Sequence, residues 1–411
     1  MSEQYDQHIL DNGMVILGEP MEGVASVAFG FMLPAGASLM PEGCCGAVNV
    51  IADWILRGAG DRNSRQLGDA LDGLGLQRVG SIGSAYLSMG AALEASNIAQ
   101  ALDLYSDIVQ RPCLTDEQFD LAKQLAIDSV LSLDDNPRQK VMLKLREQFY
   151  PSPLGRSTVG DISELKALTA ETTRRIIRDN FNLSETIFSI AGKYDFDEVS
   201  RRMEELFSGV EKRECRTDIH LDKNPGGYFH IDNDGAQAHI ALMTETVKPT
   251  DDDYYNARVA VSVLSGGMSA RLFTEVREKR GLCYAIGAKY HGLKYAAGIM
   301  CYAGTTPDKA QQTIDVVIDE FNRLREGITE DEIARAKVGL KSMLILQSES
   351  SASRAGAIAG DYYMLGRVRS LDEIKSKIEE TTVDSVLEFL RKNIFSDFAI
   401  VTIGPKRLDI D

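Results

Sequence analysis

Apolar residues along the chain alternate in some stretches and recur every three to four positions in others, and this change of period separates predicted strands from predicted helices. "QHIL" and "MVILGE" flank Asp11-Asn12-Gly13. Asn and Gly accept positive φ, so the segment predicts an antiparallel hairpin. "VASVAFGFML" predicts the next strand, ending at Pro34. "GAVNVIADWILRGAG", residues 46–60, predicts an amphipathic helix stopped by a glycine turn, and "SRQLGDALDGLG" predicts another, capped at Ser64. "SAYLSMGAALEA" is strand-like, "NIAQALDLYSDIVQRP" is a helix ended by Pro112, and "LTDEQFDLAKQLAIDSVLSLDDNP" is a long helix capped at Thr115 with Gln118 at capping-box spacing.

The order of elements then repeats. "LTDEQFDLAKQLAIDSVL" from Leu114 is echoed by "ITEDEIARAKVGLKSMLI" from Ile328, an offset of 214. "LTAETTRRIIRDNFNLSETIFSIAG", ending at Gly192, is echoed by "TTVDSVLEFLRKNIFSDFAIVTIG", ending at Gly404, an offset of 212. Two matches at nearly equal offset predict a duplicated α+β unit of about two hundred residues. The predicted lobes are 1–210 and 227–411, joined by a polar, charged linker, 211–226, that ends in Pro-Gly-Gly. Two such lobes predict a ligand cleft between them or between two chains.

The 411 residues, 44% hydrophobic and 26% charged, are those of a folded protein. No run approaches the ~20 apolar residues of a membrane span, and the opening "MSEQYDQHILDNG" lacks signal-peptide regions, so the expectation is a cytoplasmic protein without a membrane partner. Six scattered cysteines, no CxxC and five histidines give neither a disulfide framework nor a usual zinc signature. A formal charge of −16 argues against nucleic acid and favours cationic or neutral ligands. The run Asp251-Asp252-Asp253 would favour basic peptides, or is simply a solvated loop.

The most distinctive stretch is "LSGGMSARLFTEVREKRGLCYAI", Leu264–Ile286. With "LDNGMVIL", the helix start at Leu114, "DDNP" at Asp134–Pro137 and the duplication, it resembles the pitrilysin-type (M16) zinc peptidases and the mitochondrial processing peptidase subunits. Their second half carries Gly-Gly-x-Ser-x-Arg-Leu followed by Arg-Glu-x-x-Gly-x-x-Tyr. The resemblance implies a LuxS/mitochondrial-processing-peptidase-like metallohydrolase fold: two α/β lobes, each a mostly antiparallel sheet with helices packed on one face.

In that family the first half bears His-x-x-Glu-His before an Arg/Lys-Gly-Thr turn, and a glutamate ligand follows further on. Aligned on "LRGAG", the histidines fall on Asn49 and Asp53, the general-base glutamate on Ala52, and the third ligand on Ser129, 76 positions after Asp53, with Asp128 beside it. A catalytic zinc needs about three strong ligands, an open position and a nearby base. An amide, a carboxylate and a hydroxyl supply no such set, and Ala52 has no proton acceptor. Asn49, Asp53 and Asp128 suit at most a weakly held hard cation such as Ca²⁺; three solvated polar residues are the alternative.

Arg277 and Tyr284 match the family's arginine and tyrosine that bind substrate near the scissile carbonyl. Without the resemblance, Arg277 reads as half of an ion pair with Glu275 or Glu278, and Tyr284 as a half-buried strand residue. "SARLFTEVREKR" predicts a helix ending at Gly281, and "LCYAIGAKY" predicts a strand leaving it. The implied function is the non-catalytic subunit of a heterodimeric zinc endopeptidase, binding no cofactor itself and completing the zinc site of a sister subunit that acts on a peptide. The alternative is a homodimeric peptide-binding or scaffold protein.

Overall fold

The computed structural model describes residues 5–214, 220–222 and 226–410. Its strands are β1 (Asp6–Ile9), β2 (Val15–Pro20), β3 (Ser26–Leu33), β4 (Gly58–Ala59), β5 (Arg62–Asn63), β6 (Gln77–Ile82), β7 (Leu87–Glu94), β8 (Ile187–Gly192), β9 (Tyr228–Asp232), β10 (Ala238–Glu245), β11 (Cys283–Gly292), β12 (Ala297–Thr305) and β13 (Ala399–Gly404). One sheet runs β1-β2-β8-β3-β7-β6 and a second runs β11-β12-β10-β13-β9, while β4 and β5 form a small hairpin. β2 is parallel to β8, and β9 is parallel to β13. All other neighbours in the two large sheets are antiparallel.

With β1 set aside, the two sheets share one pairing scheme. β9, β13, β10, β12 and β11 stand where β2, β8, β3, β7 and β6 stand in the first. Helix Asp116–Leu131 likewise answers to Glu330–Ser348, and helix Ala170–Asn180 to Val383–Lys392. The repeat in the sequence is therefore a repeat of whole sheets with their helices.

Local chemistry accounts for the element ends. Gly13 has φ +95 in the turn that brings Ile9 opposite Val15. Helix Ser64–Gly73 is capped by Asn63 rather than Ser64, in a reciprocal capping box with Gln66. Thr115 is the N-cap of helix Asp116–Leu131 but makes no side-chain cap bond, and the Gln118 side-chain carbonyl accepts from Arg57 rather than closing a capping box.

The chain divides into two compact units: 1–132 with 156–221 and 347–368, and 133–155 with 222–346 and 369–411. The contiguous lobes 1–210 and 227–411 follow the repeat, whereas each compact unit also takes one helix from the other half of the chain. Of the linker 211–226, residues 215–219 and 223–225 lie outside the described residues.

In the first unit, Val27, Phe29, Phe31 and Leu33 of β3 alternate into the main core, where Trp54 is fully buried. The other face of the sheet presents small residues, and helix Ser351–Leu365 lies on it. Ala355 joins Ala28 and Ala191, while Ile358 and Ala359 join Leu17 and Ile187. From this helix Arg354 donates two hydrogen bonds of 2.8 Å to the Glu19 carboxylate on β2, and both residues are buried. The second unit is built alike. Its main core lies under β10, β12 and β13, and helix Pro137–Phe149 packs against β10 and β13. This helix buries Val141, Leu145 and Phe149, one stripe at four-residue spacing, with Phe149 set closely over Gly298. Among the described residues no helix is long and apolar enough to cross a membrane.

Candidate functional site

The helix Ala47–Trp54 is anchored through Val48, Val50, Ile51 and Trp54, which leaves Asn49, Ala52 and Asp53 on its less buried side. Gly46, at φ +91, starts it, and a Cβ there would strike the backbone of Gly160. Asn49 and Asp53 thus share a face, but each has one polar atom committed elsewhere. The Asn49 amide donates to the Thr158 carbonyl, and Asp53 pairs with Arg57 one turn on. The Ser129 hydroxyl donates back to the Leu125 carbonyl at 2.9 Å, and Asp128 accepts from Gln124 at 2.8 Å. An amide hydrogen aimed at a carbonyl offers a metal nothing, a carboxylate neutralised by arginine is a weakened donor, and Ala52 has no side-chain base. The residues present do not fit a catalytic zinc. Among the described residues no three or more His, Cys, Asp or Glu side chains gather as a metal site.

The second unit brings its two predicted residues together. Arg277 lies on the π-helical stretch Phe273–Glu278, where the Lys279 N–H reaches back five residues to the Thr274 carbonyl at 2.9 Å. Such widened turns often occur where a side chain is re-aimed for function. The helix ends at Gly281, φ +57, and β11 begins at Cys283. The Arg277 guanidinium sits over the rings of Phe273, at 4.7 Å, and Tyr284, at 5.0 Å. Glu275 is not its partner, because that carboxylate takes Lys279 at 2.6 Å and Arg280 at 2.7 Å. Tyr284 is 83% exposed, at a bulge of the edge strand, and not half-buried.

Both residues line a cleft of about 740 Å³ that lies wholly within the second unit. Helix Pro137–Phe149 forms one wall, through a stripe of Arg138, Met142 and Arg146, and β11 with β12 forms the other, through Lys289, Met300 and Tyr302. Arg138 stacks on Tyr302 at 4.8 Å. Among the described residues no Asp or Glu lines the cleft. The overall charge of −16 predicted cationic or neutral ligands, but the local sign here is the opposite. Sequence reading missed Arg138 and Arg146, whose helix lies outside both repeated motifs, and Lys289 on β11, because a polar position looks the same whether it faces solvent or a cleft.

The cleft's field acts on its neighbours. His291 accepts or donates a 2.6 Å hydrogen bond with the Tyr150 hydroxyl, and burial, then Arg146 and Lys289, hold its pKa down at about 4. His239, bonded to the Tyr302 hydroxyl, is lowered by burial and then by Arg138. A histidine of depressed pKa binds its proton more readily in the unfolded chain. The stability contributed by His291 is therefore complete above about pH 6.5 and is lost as pH falls toward 4, by about 2–3 kcal/mol. Unfolding free energies from urea titrations at pH 7 and pH 4.5 should differ less in His291→Asn than in the parent chain by that amount; equal differences would remove His291 from the acid sensitivity.

Residues 167–340 match the peptidase M16 inactive domain. Over the whole length the chain is similar to solved M16 structures. With a peptidase M16 inactive domain from Pseudomonas fluorescens the TM-score is 0.89 at 18% identity, covering 99% of this chain and 100% of that one. The chain has the M16 peptidase fold. A protease from Helicobacter pylori gives a TM-score of 0.90 at 15% identity, covering 98% of this chain and 100% of that one. Among curated relatives, an uncharacterized zinc protease of Rickettsia bellii is 26% identical over 99% of each chain. One of Bacillus subtilis is 23% identical over 97% of this chain and 98% of its own. The M16 likeness expected from Leu264–Ile286 is thus met by sequence and fold together.

Proposed function

We propose that this M16-type chain is the non-catalytic subunit of a two-subunit zinc endopeptidase and presents Arg277 and Tyr284 to the active site of a zinc-bearing sister subunit. The observation that carries the reading is the Arg277–Tyr284 pair itself. Arg277 is free of Glu275 and lies on a π-helical turn, and Tyr284, over whose ring it sits, is exposed at the start of an edge strand. Arginine offers a fixed cationic fork for a carbonyl or carboxylate, and a tyrosine hydroxyl can donate to an oxygen as negative charge develops on it. Asn49, Ala52 and Asp53 supply neither a ligand set nor a base, so the reading assigns hydrolysis to the partner. Relatives named zinc proteases support the reaction class.

A peptide would lie in the cleft as an added strand along β11. The Ser265 hydroxyl accepts from the Ala288 N–H at 2.8 Å, which closes that point of the edge and leaves the Tyr284–Gly287 end for the ligand. The test is reconstitution. This chain alone should cleave no quenched fluorescent peptide and hold no stoichiometric zinc by elemental analysis. Mixing it with a sister chain bearing an intact His-x-x-Glu-His motif should restore cleavage. Hydrolysis by this chain alone, with zinc bound, would overturn the proposal. A stable homodimer that binds peptide and activates no sister would favour the scaffold reading instead.

A further inference from the structure

The cleft of the second unit carries four cations, Arg138, Arg146, Arg277 and Lys289, with no acid among the described residues of its lining. None of the four has a carboxylate partner among the described residues. Arg146 is the most informative. Its Nε is buried with no hydrogen-bond partner among the described residues. A guanidinium N–H withdrawn from water and left without an acceptor is unfavourable, and protein interiors normally supply one. The groups that interact with it electrostatically are the Tyr150 hydroxyl and the imidazole of His291, which Arg146 and Lys289 help to keep neutral. In a chain of net charge −16 acids are abundant, yet none of the described ones lines this cleft.

We infer that this cleft selects acidic peptides, whose carboxylates complete the bonding of Arg146 and lie between Arg138 and Lys289 while Arg277 and Tyr284 hold the main chain. This rests on the reading of Arg277 and Tyr284 as peptide-binding and adds the substrate class. The geometry suits an extended segment. Along a strand every second side chain faces the same way. Gly287 and Lys289 of β11 are such a pair, opposite Tyr302 and Met300 of β12. The residues Arg138, Met142 and Arg146 repeat every four positions on one helix face, so two guanidinium groups flank an apolar patch. An acidic residue alternating with a small or apolar one matches both walls.

The test uses the full chain without any sister subunit, so it does not depend on turnover. Fluorescence anisotropy at 50 mM salt would follow a labelled ten-residue peptide with glutamate at alternate positions, alongside its glutamine and lysine counterparts. The glutamate peptide should bind at least tenfold more tightly than the glutamine peptide, and its affinity should fall as salt is raised. Lys289→Gln and Arg138→Gln, on the rim, should each weaken it severalfold, and Arg146→Gln should abolish the preference for glutamate over glutamine. Should Arg146→Gln fail to fold, the two rim variants decide alone. An amidated version separates the two sources of carboxylate: affinity that is kept places recognition on the side chains and supports the inference, whereas affinity that is lost places it on the terminal group, which every peptide carries, and overturns it. Equal binding of the three peptides, no binding of any, or rim variants without effect would overturn it. Those outcomes leave the reconstitution test untouched, since loss of acidic selectivity does not remove Arg277 or Tyr284 from a sister's active site.

Discussion

Replacing Arg354 by alanine is expected to destabilise the first unit by about 3–5 kcal/mol, read as a large fall in its urea midpoint. Arg354 and Glu19 are both buried, and the pair is joined by two hydrogen bonds of 2.8 Å. Bringing the two charges out of water is costly, and their mutual bonding offsets that cost. Removing Arg354 leaves the buried Glu19 carboxylate without its two hydrogen bonds, and Glu19→Ala, which removes the same two bonds, should also lower the midpoint. The double change Glu19→Leu with Arg354→Met should recover most of the loss, because an apolar pair of similar bulk leaves no orphaned charge. If each single variant costs under about 1 kcal/mol, the pair is not what fastens helix Ser351–Leu365 to its sheet.

The second expectation is kinetic and follows from the proposed function. In the reconstituted pair, Tyr284→Phe and Arg277→Ala should each lower kcat by about a hundredfold, the scale of losing one donor to a developing oxyanion. Tyr284→Phe keeps the ring over which Arg277 stacks at 5.0 Å and loses only the hydroxyl, so KM should change little. Arg277→Ala also removes that stack and the one on Phe273, so KM should rise as well. The two losses should not add when combined, because the groups act on one substrate atom or its neighbour. Thermal midpoints should stay within the range of surface substitutions, since Tyr284 is exposed and Arg277 has no salt bridge to lose. Unchanged turnover in both variants would end the in-trans role.

Much of this architecture was legible beforehand, for identifiable reasons. The strands showed through alternation, as in Val27, Phe29, Phe31 and Leu33, and the duplication showed because both copies keep helix, strand and terminal glycine in register at Gly192 and Gly404. The ends were less certain: Ser64 and Asn63 are both good caps, and only the bond to the Gln66 N–H decides between them. The exchange of helices was not legible at all. Helical periodicity states that Val141, Leu145 and Phe149 are buried but carries no record of the sheet they meet. For the same reason the sequence placed Asn49 and Asp53 on one face yet could not reveal that Thr158 and Arg57 already engage them. Arg277 was marked only by its motif. Its freedom from Glu275 depends on where Lys279 and Arg280 happen to reach.

The exchanged helices also set an order of assembly. The first sheet is completed by residue 192, but the helix that covers its small-residue face begins only at Ser351. During synthesis that face must wait for more than a hundred further residues to leave the ribosome, while Glu19 stays without its arginine throughout. Helix Pro137–Phe149, by contrast, emerges before any strand of the sheet it covers. A nascent chain of this kind spends its growth with one unfilled surface and one unplaced helix, and it is vulnerable to aggregation until nearly the last fifty residues are made.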